Sequence, residues 1–196
     1  MASRNPDADA DVAETTKTTE ATMTEMADHP TSPNGSAVAY EDEEWTATRS
    51  VDRRADLAVG DTVVFEKSFS GADVDTFAHT SGDTNRLHLD DDFADGTRFG
   101  GRIAHGTLVS GLISAALARL PGVVVYLSQD TSFHAPASVG DRFTAECEIV
   151  EDLGQWRYRL TTVVTDDDGQ TLIDGEAVVL VDELPTAAAE TPEAAE

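Results

Sequence analysis

The sequence predicts an α+β fold, one buried helix with an antiparallel sheet curled round it. The first observation is the stretch Gly106 to Leu120, GTLVSGLISAALARL, whose only polar side chains are Thr107, Ser110, Ser114 and Arg119. A helix apolar nearly all round is buried, and this one is too short to span a bilayer, which takes about 20 apolar residues. Gly106, Gly111 and the alanines thin it, so neighbouring backbones can approach closely. The second observation is that several alternating strand patterns lie beyond Leu120, with no second helix of comparable apolarity. Alternation of that kind marks antiparallel strands with one face on a core.

Residues 1–52 are rich in Ala, Thr, Asp and Glu and show no apolar periodicity. Such a segment buries too little surface to offset its chain entropy, so it is expected to be a disordered acidic tail. Its cluster YEDEEW, Tyr40 to Trp45, reads as a solvated acidic run. The folded domain is expected over residues 53–184. Residues 185–196, low-complexity Ala, Glu and Pro, read as a loose C-terminal tail.

Within the domain, Gly60-Asp61 is a turn, and Thr62 to Phe69 reads as a strand with Val63, Phe65 and Phe69 on one face. Ser70 with Asp73 is a capping-box signature; Val74, Phe77 and Ala78 supply the helical stripe, and Gly82 stops it. Asp90 to Ala94 suits a short helix with acids in its first turn, where the macrodipole favours them. The glycines at 96, 100 and 101 make a loop before the buried helix. Residues 123–128, VVVYLS, read as a buried strand, and Thr131 to His134 as a second short one. Arg142 to Val150 places Phe143, Ala145, Cys147 and Ile149 on one face; Gln155 to Thr165 does the same with Trp156, Tyr158 and Leu160. The turn DDDG at Asp166 to Gly169 leads into a last strand, Thr171 to Val181.

Charge narrows the class. The formal net charge is −25, from 38 acidic against 13 basic residues. Residues 1–52 hold 12 acidic against 3 basic, a net of −9, and residues 53–196 hold 26 against 10, a net of −16. The excess therefore covers the folded part as well as the tail. Only two lysines, Lys17 and Lys67, stand against eleven arginines. An acidic surface nearly free of lysine suits concentrated salt, where self-repulsion is screened, so a halophile-type protein is expected. Nucleic acid is not an expected partner, because no basic stripe exists to meet phosphates. Cys147 is the single cysteine, which excludes an internal disulfide; its phase with Phe143, Ala145 and Ile149 makes it a small core hydrophobe. No apolar run reaches membrane-spanning length and no signal-peptide pattern opens the chain, so a soluble cytoplasmic protein is expected.

The chemistry-bearing stretch is FAHTSGDTNRLH, Phe77 to His88, which sets a carboxylate and an imidazole close together across a non-helical turn. Asp83 and Asn85 favour the local side-chain-to-backbone bonds of a tight loop. Such a loop can aim Asp83 and His88 at one shared water, giving two differently tuned partners for general acid–base chemistry. On spacing alone the plainer reading is a turn cap at Asp83 and a partly buried histidine at His88. His79 and His134 have no partner pattern, and the histidine spacings suggest no metal site.

Two motifs change the balance. Phe77 precedes Ser81-Gly82-Asp83-Thr84-Asn85-Arg86-Leu87-His88, and Ile103-Ala104-His105-Gly106 opens the central helix. In this the chain resembles the MaoC-like (R)-specific enoyl-CoA hydratases of the hot-dog fold. Their signature is an aromatic residue, then S/T-G-D-x-N-P-aliphatic-H, then I-x-H-G. The resemblance covers roughly residues 59–181. Arg86 stands where the pattern has proline, which removes a fixed φ from the loop.

The resemblance implies Asp83 and His88 as the catalytic pair and Gly106 as main-chain N–H donor to a thioester oxygen. That suits its place at a helix N-terminus, where unpaired N–H groups and the positive end of the dipole point. It implies reversible syn hydration of trans-2-enoyl-CoA to (3R)-hydroxyacyl-CoA, feeding polyhydroxyalkanoate synthesis or fatty-acid metabolism. Coenzyme A belongs to the substrate, and no cofactor or metal is implied. A homodimer is expected, because the family pairs two sheets edge to edge and a short sheet has edges that need cover. Ser114 falls near the Gly106 face of the helix; it either reaches toward the pair, as the family's serine does, or back-bonds to its own helix. Asn85 and His105 are expected to orient the loop. Arg86, Arg98 and Arg102 either meet the coenzyme A phosphates, for which guanidinium groups are suited, or are scattered surface arginines. The rival functions are a hot-dog acyl-CoA thioesterase, which would not need the paired motifs, and a non-catalytic acyl-CoA-binding subunit, which would not need Asp83 and His88.

Overall fold

A computed structural model describes residues 45–185. The tail expectations for 1–44 and 186–196 lie outside the described residues. The described part contains six strands in one antiparallel sheet and a helical excursion between the second and third. In chain order these are β1 (Trp45–Arg49), β2 (Thr62–Ser68), α1 (Gly71–Ser81), α2 (Arg86–Leu89), α3 (Asp91–Asp95), α4 (Gly106–Leu117), β3 (Val123–Phe133), β4 (Arg142–Gly154), β5 (Arg157–Asp166) and β6 (Thr171–Asp182). The sheet order is β1-β2-β4-β5-β6-β3, so β1 and β3 are its edges.

α4 is the central helix, packed against β2, β3, β4 and β5. Val109, Leu112, Ile113, Ala116 and Leu117 form its buried face. They meet the inward rows of the sheet, among them Val63, Phe143, Ile149, Leu160, Leu172 and Val179. Truncating such a residue, Leu117→Ala for example, typically costs about 2–5 kcal/mol. The helix is not buried all round as its composition suggests. Gly106, Thr107, Gly111 and Ser114 are exposed, so its small and polar residues gather on a face that this chain leaves uncovered. Cys147 is fully buried, and burial pushes its thiol up to about 12, which suits an unreactive core residue.

Four local expectations need correction. Trp45–Arg49 falls inside the stretch whose composition reads as tail, yet it pairs with β2 from Trp45↔Lys67 to Arg49↔Val63. A single acidic composition masks the change, but Trp45 packs its ring near Phe65, 6.3 Å between centroids, and anchors the strand. Residues 123–133 form one strand with a register shift at Tyr126/Ser128, not two. That strand is an edge rather than a buried element, with Val125, Leu127 and Phe133 at 40%, 49% and 57% exposure. Gln155 and Trp156 lie outside β5. Both have positive φ, 56° and 60°, as the two central residues of a tight hairpin of matching twist require. Finally, His88 sits in a one-turn helix, α2, rather than on an irregular loop.

Candidate active site

The segment between α1 and α2 is built from caps. Ser70 and Asp73 form the expected capping box at the start of α1, and Gly82, at φ 79°, closes the helix in the left-handed conformation. The chain then turns through Asp83, whose Oδ1 accepts from the Asn85 N–H at 3.3 Å. Asn85 is the N-cap of α2 and accepts from the Leu87 N–H at 3.1 Å. Arg86 is thus the first residue of a helix, where proline is favoured because its missing N–H would be unpaired anyway. The arginine offers other ties: it donates to Asp90 at 2.8 Å and lies 4.5 Å from the Phe93 ring centroid. Asp90 is held below its ordinary value by the Phe93 N–H and then by Arg86.

One turn of α2 brings His88 back toward the loop. A carboxylate oxygen of Asp83 and ring nitrogens of His88 and His105 lie within 4.8 Å of one another. That span accommodates one water bonded to two of them, since each hydrogen bond takes about 2.8 Å. His88 Nδ1 is 2.8 Å from the Ile103 carbonyl. A carbonyl only accepts, so Nδ1 carries the proton and Nε2 is the nitrogen free to exchange one. His88 is 8% exposed, whereas Asp83 is exposed. The three side chains form the one cluster among the described residues with a metal-ligand grouping, which histidine spacing did not suggest. Two of their four ring nitrogens are already bonded to carbonyls.

His88 lines a cavity of about 300 Å³ with Arg98, Ile103, Gly106, Val109, Phe133 and His134 among its walls. Gly106 is the first residue of α4. Its N–H is one of the unpaired donors of a helix start, with the dipole behind it. A Cβ added there would stand 2.8 Å from Phe133 Cε1, so a side chain at 106 would have to displace that ring. His88 and the Gly106 donor therefore line one mostly apolar cavity, with Asp83 beside His88.

The remaining expected residues divide. Arg98 is exposed and lines the cavity. Arg102 does not: it donates to the His88 carbonyl and, at 2.7 Å, to Asp75, with its side chain 16% exposed. It is an internal brace and not a free phosphate binder. Arg86 is likewise occupied by Asp90. Ser114 sits on the exposed face of α4, away from the cavity walls. Asn85 serves as the N-cap of α2. Sequence reasoning missed His134, which lines the cavity and pairs with Asp174 at 2.8 Å. The pairing joins the residue just after β3 to β6, whose Asp174 faces Ser132 of β3, and no local signal announces a partner so far along the chain.

A central helix wrapped by one antiparallel sheet, with a carboxylate–imidazole pair beside its N-terminus, defines an acid–base enzyme that handles water. Residues 46–171 match the MaoC like domain, and the chain belongs to that family. It is 42% identical over 128 residues to the 3-hydroxybutyryl-CoA dehydratase of Methylorubrum extorquens, covering 64% of this chain and 82% of that one. It is also 42% identical to the (R)-specific enoyl-CoA hydratase of Aeromonas caviae, covering 63% of this chain and 94% of that one. Among solved structures, the unliganded R-hydratase PhaJ1 of Pseudomonas aeruginosa superposes with a TM-score of 0.65 at 35% identity, covering 77% and 99%. The fold is the α+β hot-dog.

Proposed function

We propose that this enzyme is an (R)-specific enoyl-CoA hydratase, adding water reversibly and syn across a trans-2-enoyl-CoA to give the (3R)-hydroxyacyl-CoA. The observation that carries the reading is the Asp83–His88 pair beside the N–H end of α4. The Asp83 carboxylate takes a proton from the bridging water as its oxygen bonds to C3. Protonated His88 delivers a proton from Nε2 to C2 on the same face, its Nδ1–H kept on the Ile103 carbonyl. Proton return from Asp83 to His88 resets the pair. Negative charge that builds on the thioester oxygen meets the Gly106 N–H, an oxyanion-hole arrangement. Arg98, exposed at the cavity, faces the coenzyme A phosphates.

The test is incubation of purified protein with crotonyl-CoA in molar KCl and chiral analysis of products. (3R)-Hydroxybutyryl-CoA is expected; free coenzyme A without the hydroxyacyl product would instead mark a thioesterase.

The reading extends to assembly and setting. A homodimer is supported by β3, an edge strand that leaves Val125, Leu127 and Phe133 exposed; such an edge needs a cover. Light scattering that finds only monomer would overturn it. Among the described residues no helix is long and apolar enough to cross a membrane, and we place the enzyme in the cytoplasm. Its product suits polyhydroxyalkanoate synthesis or fatty-acid metabolism.

A further inference from the structure

His105 is the N-cap of α4, a position that usually carries a side chain able to accept from the helix's first N–H groups. Its ring makes no such cap. It turns inward instead and is 1% exposed. Nε2 lies 2.9 Å from the main-chain carbonyl of Asp83. That oxygen accepts only, so Nε2 carries the proton and Nδ1 is bare. Nδ1 is buried with no hydrogen-bond partner among the described residues, an arrangement that ordinarily costs stability. A core position serving only packing would be better filled by an apolar ring.

The ring also has neighbours. Its centroid is 3.9 Å from that of His88, with 33° between planes, and 4.9 Å from that of Phe77. One side chain thus touches both halves of the pair: the main chain of Asp83 through Nε2–H, and the ring of His88 by stacking. It does so from the residue adjoining Gly106, so both are referred to the helix that supplies the oxyanion donor.

We propose that His105 is the positioning residue of the site, holding Asp83 and His88 at the separation one water can bridge. The proposal rests on the hydratase reading for its kinetic consequence but not for its geometry. Two distinct tasks, a hydrogen bond and a stack, make it separable by substitution. His105→Phe keeps a ring against His88 and removes the bond to Asp83. His105→Gln retains a donor for the Asp83 carbonyl and removes the stack.

The test pairs steady-state kinetics on crotonyl-CoA with crystal structures of the full-length wild type and both variants. Each variant should lower kcat by up to about 10²-fold, the scale expected of an angstrom-sized misplacement, with KM changed little. In the structures His105→Phe should shift the Asp83 carbonyl while the His88 ring stays, and His105→Gln should do the reverse. A merely structural residue would lower the melting temperature without that selective split. Wild-type kcat in both variants, or an Asp83–His88 separation unchanged in both, overturns the proposal. If wild type fails to hydrate crotonyl-CoA while the separations still move as described, the hydratase reading falls and the positioning role stands. Should one variant not fold, the other still decides by the same two measurements.

Discussion

Arg102 ties His88 to α1: its Nε donates to the His88 carbonyl and a terminal nitrogen reaches Asp75 at 2.7 Å. His88 is thus fixed at three points, by Arg102 on its main chain, by Ile103 at Nδ1 and by His105 on its ring face. Arg98, four residues earlier, has no such duty. It is exposed at the cavity, 4.8 Å from the Phe99 ring centroid.

The two arginines should therefore behave differently when removed. Arg98→Ala is expected to raise KM for enoyl-CoA and spare kcat, because phosphate pairing is ground-state binding, and the effect should shrink as salt rises. Arg102→Ala should lower stability by about 1–3 kcal/mol, since it strips a donor from a part-buried carbonyl, and should lower kcat as well. Thermal melts and initial rates at two salt concentrations separate the cases. An Arg102→Ala variant that changes only KM would restore it to the coenzyme A site.

That contrast also shows what the chain does and does not disclose. The helix start at Ser70, the stop at Gly82, the inward rows of β4 and β5 and the central helix were all legible, because each follows from local chemistry or a short period. Asp83 and His88 were legible only through their motif, since their spacing fits a turn cap equally well. Arg102 and His134 were not legible: each is decided by a partner, Asp75 or Asp174, brought in by tertiary packing. Trp156 deceived for another reason. Alternation cannot distinguish the last turn residue from a strand residue when it is apolar and in phase with the strand, as Trp156 is with Tyr158.

The role of Gly106 can be isolated because its neighbour is movable. Phe133 Cε1 would be 2.8 Å from an added Cβ, yet Phe133 is 57% exposed and its ring can swing away. In a Phe133→Ala background, Gly106→Ala keeps the N–H and Gly106→Pro removes it. Proline is tolerated at a first helical position, and His105 already has the extended backbone, φ −61° and ψ 131°, that a residue before proline prefers. The proline variant should be about 10²–10³-fold lower in kcat than the alanine variant. Equal rates would show that this N–H does not serve the thioester oxygen.

Acid sensitivity should trace in part to Glu66 on β2. Arg142 and Thr46 both donate to its carboxylate, and these bonds hold it below its ordinary value. A carboxyl depressed in the folded state stabilises above its unfolded value and loses that contribution as pH falls through the folded one. Glu66→Gln should thus destabilise at pH 7, and the difference from wild type should vanish well below the ordinary Glu value of about 4.3. Both side chains of the pair are 37% exposed, so screening limits the effect to about 1 kcal/mol or less. Urea melts at pH 7 and in acid check it; a difference that persists in acid would assign the effect to packing of β1.

Salt should act more broadly. Residues 53–196 carry a net −16 with Lys67 as their one lysine, and such self-repulsion weakens a compact state until counterions screen it. The thermal midpoint is expected to climb from dilute buffer to molar KCl. A midpoint as high in dilute buffer would remove the halophile reading.

The decisive prediction concerns the pair itself. Asp83→Asn and His88→Gln should each fold and each lower kcat for hydration by about 10²–10⁴-fold, the usual contribution of a positioned proton-transfer group. Folding is expected to survive because Asp83 is exposed, its Oδ1 accepting only a 3.3 Å turn bond, and because an amide at 88 can still donate to the Ile103 carbonyl. In the proposed mechanism both groups act on one water, which the 4.8 Å span accommodates. Their losses therefore should not add, and the double variant should be little worse than the worse single one. Additive losses would mean that each group handles a separate proton step on a separate molecule. Near-wild-type rates in both single variants would reduce Asp83 to a turn residue and His88 to a buried histidine braced by Arg102, leaving the cavity beside Gly106 without an acid–base pair.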